Sequence, residues 1–252
     1  MILRVTPSTL SGEVSAPPSK SLSARFIAAA LLADSPSMIH GMSESDDTTS
    51  ALEMAAVLGA EIELGEEAIR IAPTPGGIPR PRAKELNAGE SGLAARMFAP
   101  IAALANTSIL LTGKGTLLAR PIEMVTDGLQ KLGVSIAEAR TLPVEIEGPL
   151  VGGEIHLDGS VSSQFLTGLL LALPYAEKDS KVTVEGITSR PYIDMTLEVL
   201  QTFDLDYTHE ISEGLDVFHI PSSQAGRGGN FNIDGDWSAA ATLLVLGALC
   251  AQ

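Results

Sequence analysis

Arg25-Phe26-Ile27-Ala28-Ala29-Ala30-Leu31-Leu32-Ala33, followed by Ser37-Met38-Ile39-His40-Gly41, has two further copies in this chain of 252 residues. The apolar runs Leu93–Ala105 and Gln164–Ala172 lead likewise into Ser108-Ile109-Leu110-Leu111-Thr112-Gly113 and Lys181-Val182-Thr183-Val184-Glu185-Gly186. The closing glycines lie 72 and 73 residues apart. A second helix follows each strand and ends at Leu58-Gly59-Ala60, Leu132-Gly133-Val134 or Phe203-Asp204-Leu205, where Gly59, Gly133 and Asp204 suit a left-handed cap. Each second helix runs into a strand pair. The unit therefore reads helix, strand, helix, strand, strand, with a β-prone segment before the first helix. Three copies over roughly residues 14–234 predict one α/β domain of three pseudo-symmetric units that bury their apolar helices against one another.

Gly235-Asp236-Trp237-Ser238 and the apolar residues after it read as the first helix of a fourth unit, with no hairpin beyond. An apolar helix needs a surface to pack on. The expectation is a fragment, or a protein that requires a partner half.

Composition narrows the function. Sixteen Lys and Arg against 31 Asp and Glu give a net charge of −15, and only 4% of residues are aromatic. A phosphate backbone needs a basic face and a single strand needs aromatic platforms, so a nucleic-acid partner is excluded. Cys250 is alone, and the four histidines show neither zinc spacing nor a nearby nucleophile motif. No metal and no cofactor is expected. The longest apolar runs are too short for a bilayer and the first residues lack signal-peptide character, which predicts a soluble cytoplasmic chain without a membrane partner. Neither GxGxxG after a strand nor GxxxxGK[ST] occurs, so nucleotide loops are not indicated.

The few cations are informative in so acidic a chain. The first helices open with Pro18-Ser19-Lys20-Ser21-Leu22-Ser23-Ala24-Arg25, Gly89-Glu90-Ser91-Gly92-Leu93-Ala94-Ala95-Arg96 and Ser160-Val161-Ser162-Ser163-Gln164. A helix start offers free N–H groups and a positive dipole end. In a single copy the serine is only a cap and the cation a solvated side chain. Three copies, with Lys20, Arg25 and Arg96 placed against the dipole, point to an anion site. The second helices carry Ala119-Arg120-Pro121 and Ser189-Arg190-Pro191-Tyr192, which place a basic residue before a first-turn proline. Ser45-Asp46-Asp47-Thr48 fills that place in the first copy, and its acids read as capping residues.

Six segments, in order, resemble the EPSP synthases, enolpyruvyl transferases of the shikimate pathway. They are Ser19-Lys20-Ser21-Leu22-Ser23-Ala24-Arg25, Ser91-Gly92-Leu93-Ala94-Ala95-Arg96, Arg120-Pro121, the run from Asp158 to Phe165 through Ser162-Ser163-Gln164, Ser189-Arg190-Pro191-Tyr192-Ile193-Asp194, and Gly235-Asp236-Trp237-Ser238. The related UDP-N-acetylglucosamine enolpyruvyl transferases carry Lys-Asn in place of Lys20-Ser21 and a loop cysteine absent here. The resemblance implies an inside-out α/β barrel domain with helices inside and sheets outside. That domain would span residues 16–234, with 1–15 the first strand and 235–252 the first returning helix of a second domain otherwise missing.

It also implies transfer of enolpyruvyl from phosphoenolpyruvate to the 5-hydroxyl of shikimate 3-phosphate by a monomer, the truncated chain being inactive alone. Lys20 would be catalytic. Lys20, Ser21, Arg25, Ser162, Ser163, Gln164, Ser189 and Tyr192 would hold shikimate 3-phosphate, and Lys20, Gly92, Arg120 and Gln164 phosphoenolpyruvate. Arg96 and Asp236 would give support. Glu90-Ser91-Gly92-Leu93 departs from the family's usual Asn-Ala-Gly-Thr, and Asn87-Ala88-Gly89 offers a rival alignment. A non-catalytic anion-binding module and another enolpyruvyl transferase of this fold remain as alternatives.

Overall fold

The computed structural model describes residues 11–250. Three units follow one another. The first is α1 (Lys20–Leu32), β1 (Ser37–His40), α2 (Asp46–Val57), β2 (Glu61–Leu64) and β3 (Ala68–Ala72). The second, entered through β4 (Glu85–Asn87), is α3 (Gly92–Ala102), β5 (Ser108–Thr112), α4 (Glu123–Lys131), β6 (Ser135–Ile136) and β7 (Val144–Glu147). The third, entered through β8 (Glu154–Asp158), is α5 (Ser163–Ala172), β9 (Ser180–Glu185), α6 (Arg190–Thr202), β10 (Thr208–Ser212) and β11 (Leu215–Ile220). Then come β12 (Asn230–Asn232) and α7 (Trp237–Cys250).

The sheets repeat one topology: β12-β1-β3-β2, β4-β5-β7-β6 and β8-β9-β11-β10. In each, the first strand runs parallel to its neighbour and the others antiparallel, as in the registers Ile39↔Phe231, Leu86↔Leu111 and Leu157↔Val184. Two expectations need correction. The strands do not close into one barrel, because each unit satisfies its hydrogen-bond ladders within a separate four-stranded sheet. The edge strand of the first sheet is also not the segment before α1. It is β12, which returns after the third unit and pairs with β1. Of the expected N-terminal strand, residues 1–10 lie outside the described residues and 11–15 carry no strand.

Packing follows from composition. α1 buries every residue from Ser23 to Leu32 and α5 every residue from Phe165 to Ala172, so these helices are enclosed on all sides and form the core. By contrast α4 and α6 bury single stripes, Val125-Thr126-Gly128-Leu129 and Ile193-Thr196-Val199-Leu200. Strands β5, β7, β8 and β9 alternate between buried and more accessible positions, which leaves one face of each sheet outward. α3 and α5 meet at Gly168, where a Cβ would fall 2.6 Å from the Met97 carbonyl oxygen. Only glycine permits that approach.

The left-handed caps read from the sequence are present: φ is 113° at Gly59, 88° at Gly133 and 56° at Asp204. The chain enters the first unit and leaves the third side by side. Ser19 N donates to Asp234 O at 2.9 Å and Asp236 N to Pro17 O at 2.7 Å. α7 buries no residue. Among the described residues no helix is long and apolar enough to cross a membrane.

Candidate functional site: an anion cleft at six helix starts

A cleft of about 470 Å³ gathers residues from the openings of all six helices of the three units. Lys20, Ser21 and Arg25 come from α1, Asp47 from α2, Gly92 and Leu93 from α3, and Glu90 from the turn just before α3. Arg120 precedes α4, Ser163 and Gln164 open α5, and Ser189 and Tyr192 open α6. Equivalent positions in repeated units arrive at one place, which directs their free N–H groups and positive dipole ends inward.

Serine has two roles here. Ser19, Ser91 and Ser162 are N-caps, accepting from Leu22 N, Ala94 N and Gln164 N at 3.3, 3.1 and 3.2 Å. The bland reading of a helix-start serine thus holds for these three. Ser21, Ser163 and Ser189 line the cleft instead, and Ser189 makes no side-chain cap for α6.

Arg25 dominates the electrostatics. It is 1% exposed, and its partners are all neutral oxygens. Nε donates to Thr196 Oγ1 at 2.9 Å, Nη1 to Ser21 O at 2.7 Å, and Nη2 to Thr167 Oγ1 and Tyr192 O at 3.1 Å each. Its Cζ lies 5.9 Å from the Tyr192 ring centroid. Among the described residues no carboxylate pairs with it. Burial pulls its pKa down to about 10, so it is a desolvated cation still charged at neutral pH.

Lys20 is half-exposed, and its Nζ lies 2.8 Å from Asp47 Oδ2. The hydrogen bond and charge of Asp47 raise the lysine above its ordinary value. For Asp47, burial opposes ionisation, but bonds from Lys20 and Ser91 and the charges of Lys20 and Arg120 outweigh it and hold the carboxyl below the usual range. Lys20 is therefore an ammonium donor in this arrangement, not a base.

Gly92 explains itself by what surrounds it. A Cβ there would fall 2.9 Å from Arg96 Nη1 and 3.1 Å from Arg120 Nη1. Arg96 is held by Gly92 O at 3.2 Å, Gln164 Oε1 at 3.4 Å and Pro121 O at 2.7 Å. Burial, then the nearby charge of Arg120, lowers it. Because Oε1 of Gln164 faces Arg96, its Nε2 is left to donate elsewhere. Glu90 turns toward the loop, accepting from Thr116 N at 3.4 Å. Gly92 lines the cleft, whereas Asn87 Oδ1 accepts from Gly89 N at 2.9 Å and does not line it.

Not every expected residue lines this cleft. Ser162 and Arg96 line an adjoining recess of about 340 Å³, which shares Arg120, Ser163, Gln164 and Ser189. Asp236 borders a neighbouring groove of about 640 Å³, which shares Ser21 and Tyr192 with the cleft, and it caps α7 through Ser238 N and Ala239 N at 2.9 and 3.0 Å. Pro121 does not open α4. Arg120 is extended, as a residue before proline prefers, and Ile122 N bonds to Arg140 O at 2.9 Å, which delays the helix to Glu123. Asp47 was not expected as a cleft residue. Its signal was its place, since it occupies in the first unit the second-helix opening that Arg120 and Ser189 occupy in the others. Among the described residues no group of His, Cys, Asp and Glu comes together as metal ligands.

A family profile described as EPSP synthase (3-phosphoshikimate 1-carboxyvinyltransferase) matches residues 5–252. The 3-phosphoshikimate 1-carboxyvinyltransferase of Methanospirillum hungatei is 34% identical over 240 residues, covering 94% of this chain and 56% of its own length. That of Salmonella dublin is 34% identical over 249 residues, covering 94% and 57%. The solved EPSP synthase of Acinetobacter baumannii superposes with a TM-score of 0.83 at 26% identity, over 96% of this chain and 54% of its own. The chain thus spans a little over half the length of the relatives it matches.

Proposed function

Because this chain belongs to the EPSP synthase family, we propose that its cleft is the part of a 3-phosphoshikimate 1-carboxyvinyltransferase site that receives shikimate 3-phosphate and phosphoenolpyruvate. The observation that carries this reading is Arg25, a buried cation whose protein partners are all neutral, at the centre of converging helix starts. Such a charge is costly without a counter-ion, and an anionic ligand supplies one.

The reaction joins the 5-hydroxyl oxygen of one anion to the enol carbon of another through a tetrahedral intermediate, and phosphate then leaves. Catalysis needs several negative charges held together and in line. Shikimate 3-phosphate is assigned to Lys20, Ser21, Arg25, Ser162, Ser163, Gln164, Ser189 and Tyr192, with its phosphate in the recess of Ser162, Ser163 and Ser189. Phosphoenolpyruvate is assigned to Lys20, Arg120, Gln164 and the Gly92 turn, with Arg96 supporting that turn. Lys20 touches both and, held protonated by Asp47, would stabilise the charge that develops as phosphate departs. The same reading takes residues 16–234 as one domain, helices inside and sheets outside, and residues 1–15 and 235–252 as segments of a second. It places the protein in the cytoplasm as a monomer.

Calorimetric titration of the full chain with shikimate 3-phosphate tests the reading. Saturable binding that weakens at least about tenfold in Ser163→Ala, from loss of one bond to a charged group, is expected. No heat from the parent chain would overturn it.

A further inference from the structure

Arg190 is the first residue of α6, yet its side chain turns away from the cleft that its neighbours Ser189 and Tyr192 line. The guanidinium forks onto Asp216 of β11, with Nη1 3.0 Å from Oδ1 and Nη2 2.7 Å from Oδ2. Asp216 is 4% exposed, and Nε2 of His209 on β10 lies 2.7 Å from the same Oδ1. Strand pairing sets His209 opposite Phe218, two residues along from Asp216 and so on the same face. The His209 and Phe218 rings stack with centroids 4.4 Å apart, which fixes the imidazole against the carboxylate. Burial opposes the charge of Asp216, but the bonds and charges of Arg190 and His209 outweigh it and keep the carboxyl below its ordinary range.

The start of α6 lacks a local anchor. α1, α2, α3 and α5 are each tied there by a serine cap, whereas α6, like α4, has none. An uncapped first turn frays readily. We propose that Arg190, Asp216 and His209 form a positioning device that fastens this uncapped turn to the sheet, so that Ser189 and Tyr192 stay aimed at a phosphorylated ligand. The proposal rests on the function inferred for the cleft. Its reach extends to Arg25, whose Nη2 donates to Tyr192 O, so displacement of the turn also moves the buried cation's acceptor.

Asp216→Asn keeps the size of the side chain and removes the charged fork, while Arg190→Lys keeps a charge opposite Asp216. Two measurements on the full chain decide. The first is ligand-free amide exchange at Asp194 and Met195, whose helix bonds go to the first turn. The second is calorimetric affinity for shikimate 3-phosphate. In Asp216→Asn exchange should rise about tenfold at these amides while α1 and α3 keep their protection, and affinity should fall about tenfold. Arg190→Lys should recover part of both. Parental exchange and affinity in Asp216→Asn would overturn the proposal. So would an equal loss of protection throughout the chain, which marks a general scaffold role. If the parent itself does not bind, the reading of the cleft falls, and the ligand-free exchange still decides whether the cluster fastens the turn.

Discussion

Arg25 and Arg190 both bear on the Tyr192 turn, and their surroundings are opposite. Arg25 is fully buried, and its four hydrogen bonds all end on neutral oxygens. Arg190 is partly exposed, and a buried carboxylate takes both of its arms. The second pair balances its charge within the protein and can serve as scaffold. The first leaves a desolvated positive charge facing a cleft, an arrangement that weakens the empty protein and gains only when an anion arrives. Charge balance, more than exposure, separates the two roles.

Arg25→Met tests that contrast most severely. Thr167 Oγ1 and Thr196 Oγ1 bond to each other at 3.1 Å, and Thr196 Oγ1 donates to Tyr192 O at 2.8 Å, so most acceptors stay satisfied without the guanidinium. Replacing an unpaired buried charge by an apolar side chain of similar length removes the cost of desolvating that charge. The melting temperature should hold or rise, while affinity for shikimate 3-phosphate falls at least about 100-fold, or ~2.7 kcal/mol. A variant that melts far lower and binds as before would reverse the assignment.

Two glycines carry the same contrast into packing. A methyl group on Gly168 meets backbone of α3, which cannot move aside, so Gly168→Ala should cost about 1–3 kcal/mol in denaturant unfolding with little change in ligand affinity of the folded chain. On Gly92 it meets the flexible ends of Arg96, Arg120 and Gln164. Gly92→Ala should therefore leave stability within about 0.5 kcal/mol and weaken phosphoenolpyruvate binding roughly tenfold, as measured by calorimetry.

The repeat made most of the fold legible, because apolar runs at a fixed spacing report buried helices directly. Gly59, Gly133 and Asp204 could be read as caps since only local backbone geometry is involved. The strand partner of β1 could not, because the paired residues of β12 lie 192 positions further on and pairing over that distance leaves no periodic trace. Serines and cations at helix starts exposed the cleft's outline. Asp47 escaped because an acid at a helix start is also ordinary capping, and only the approach of α1 reveals Lys20 beside it. The Arg190 fork was equally hidden, since Asp216 belongs to a strand whose pattern says nothing of its partner.

Lys20 and Asp47 stand between the two arginines: a cleft cation with a single carboxylate, exposed enough for solvent to weaken the pair. Asp47 is depressed in the folded state, so its contribution is present above the ordinary carboxylate value near 4 and is lost as pH falls through the lower folded value. Lys20 is raised, so its contribution is complete below about 10.5 and is lost as pH rises through the higher folded value. Between these limits the pair adds a flat increment, under about 1 kcal/mol for so exposed a contact. Asp47→Asn should accordingly shift unfolding free energy by that small, constant amount from pH 5 to 9, and the difference from the parent should close in acid. The freed ammonium should bind shikimate 3-phosphate a few-fold more tightly. A loss of several kcal/mol that persists in acid would instead make Asp47 a scaffold group like Asp216, and the division by charge balance would fail at its middle case.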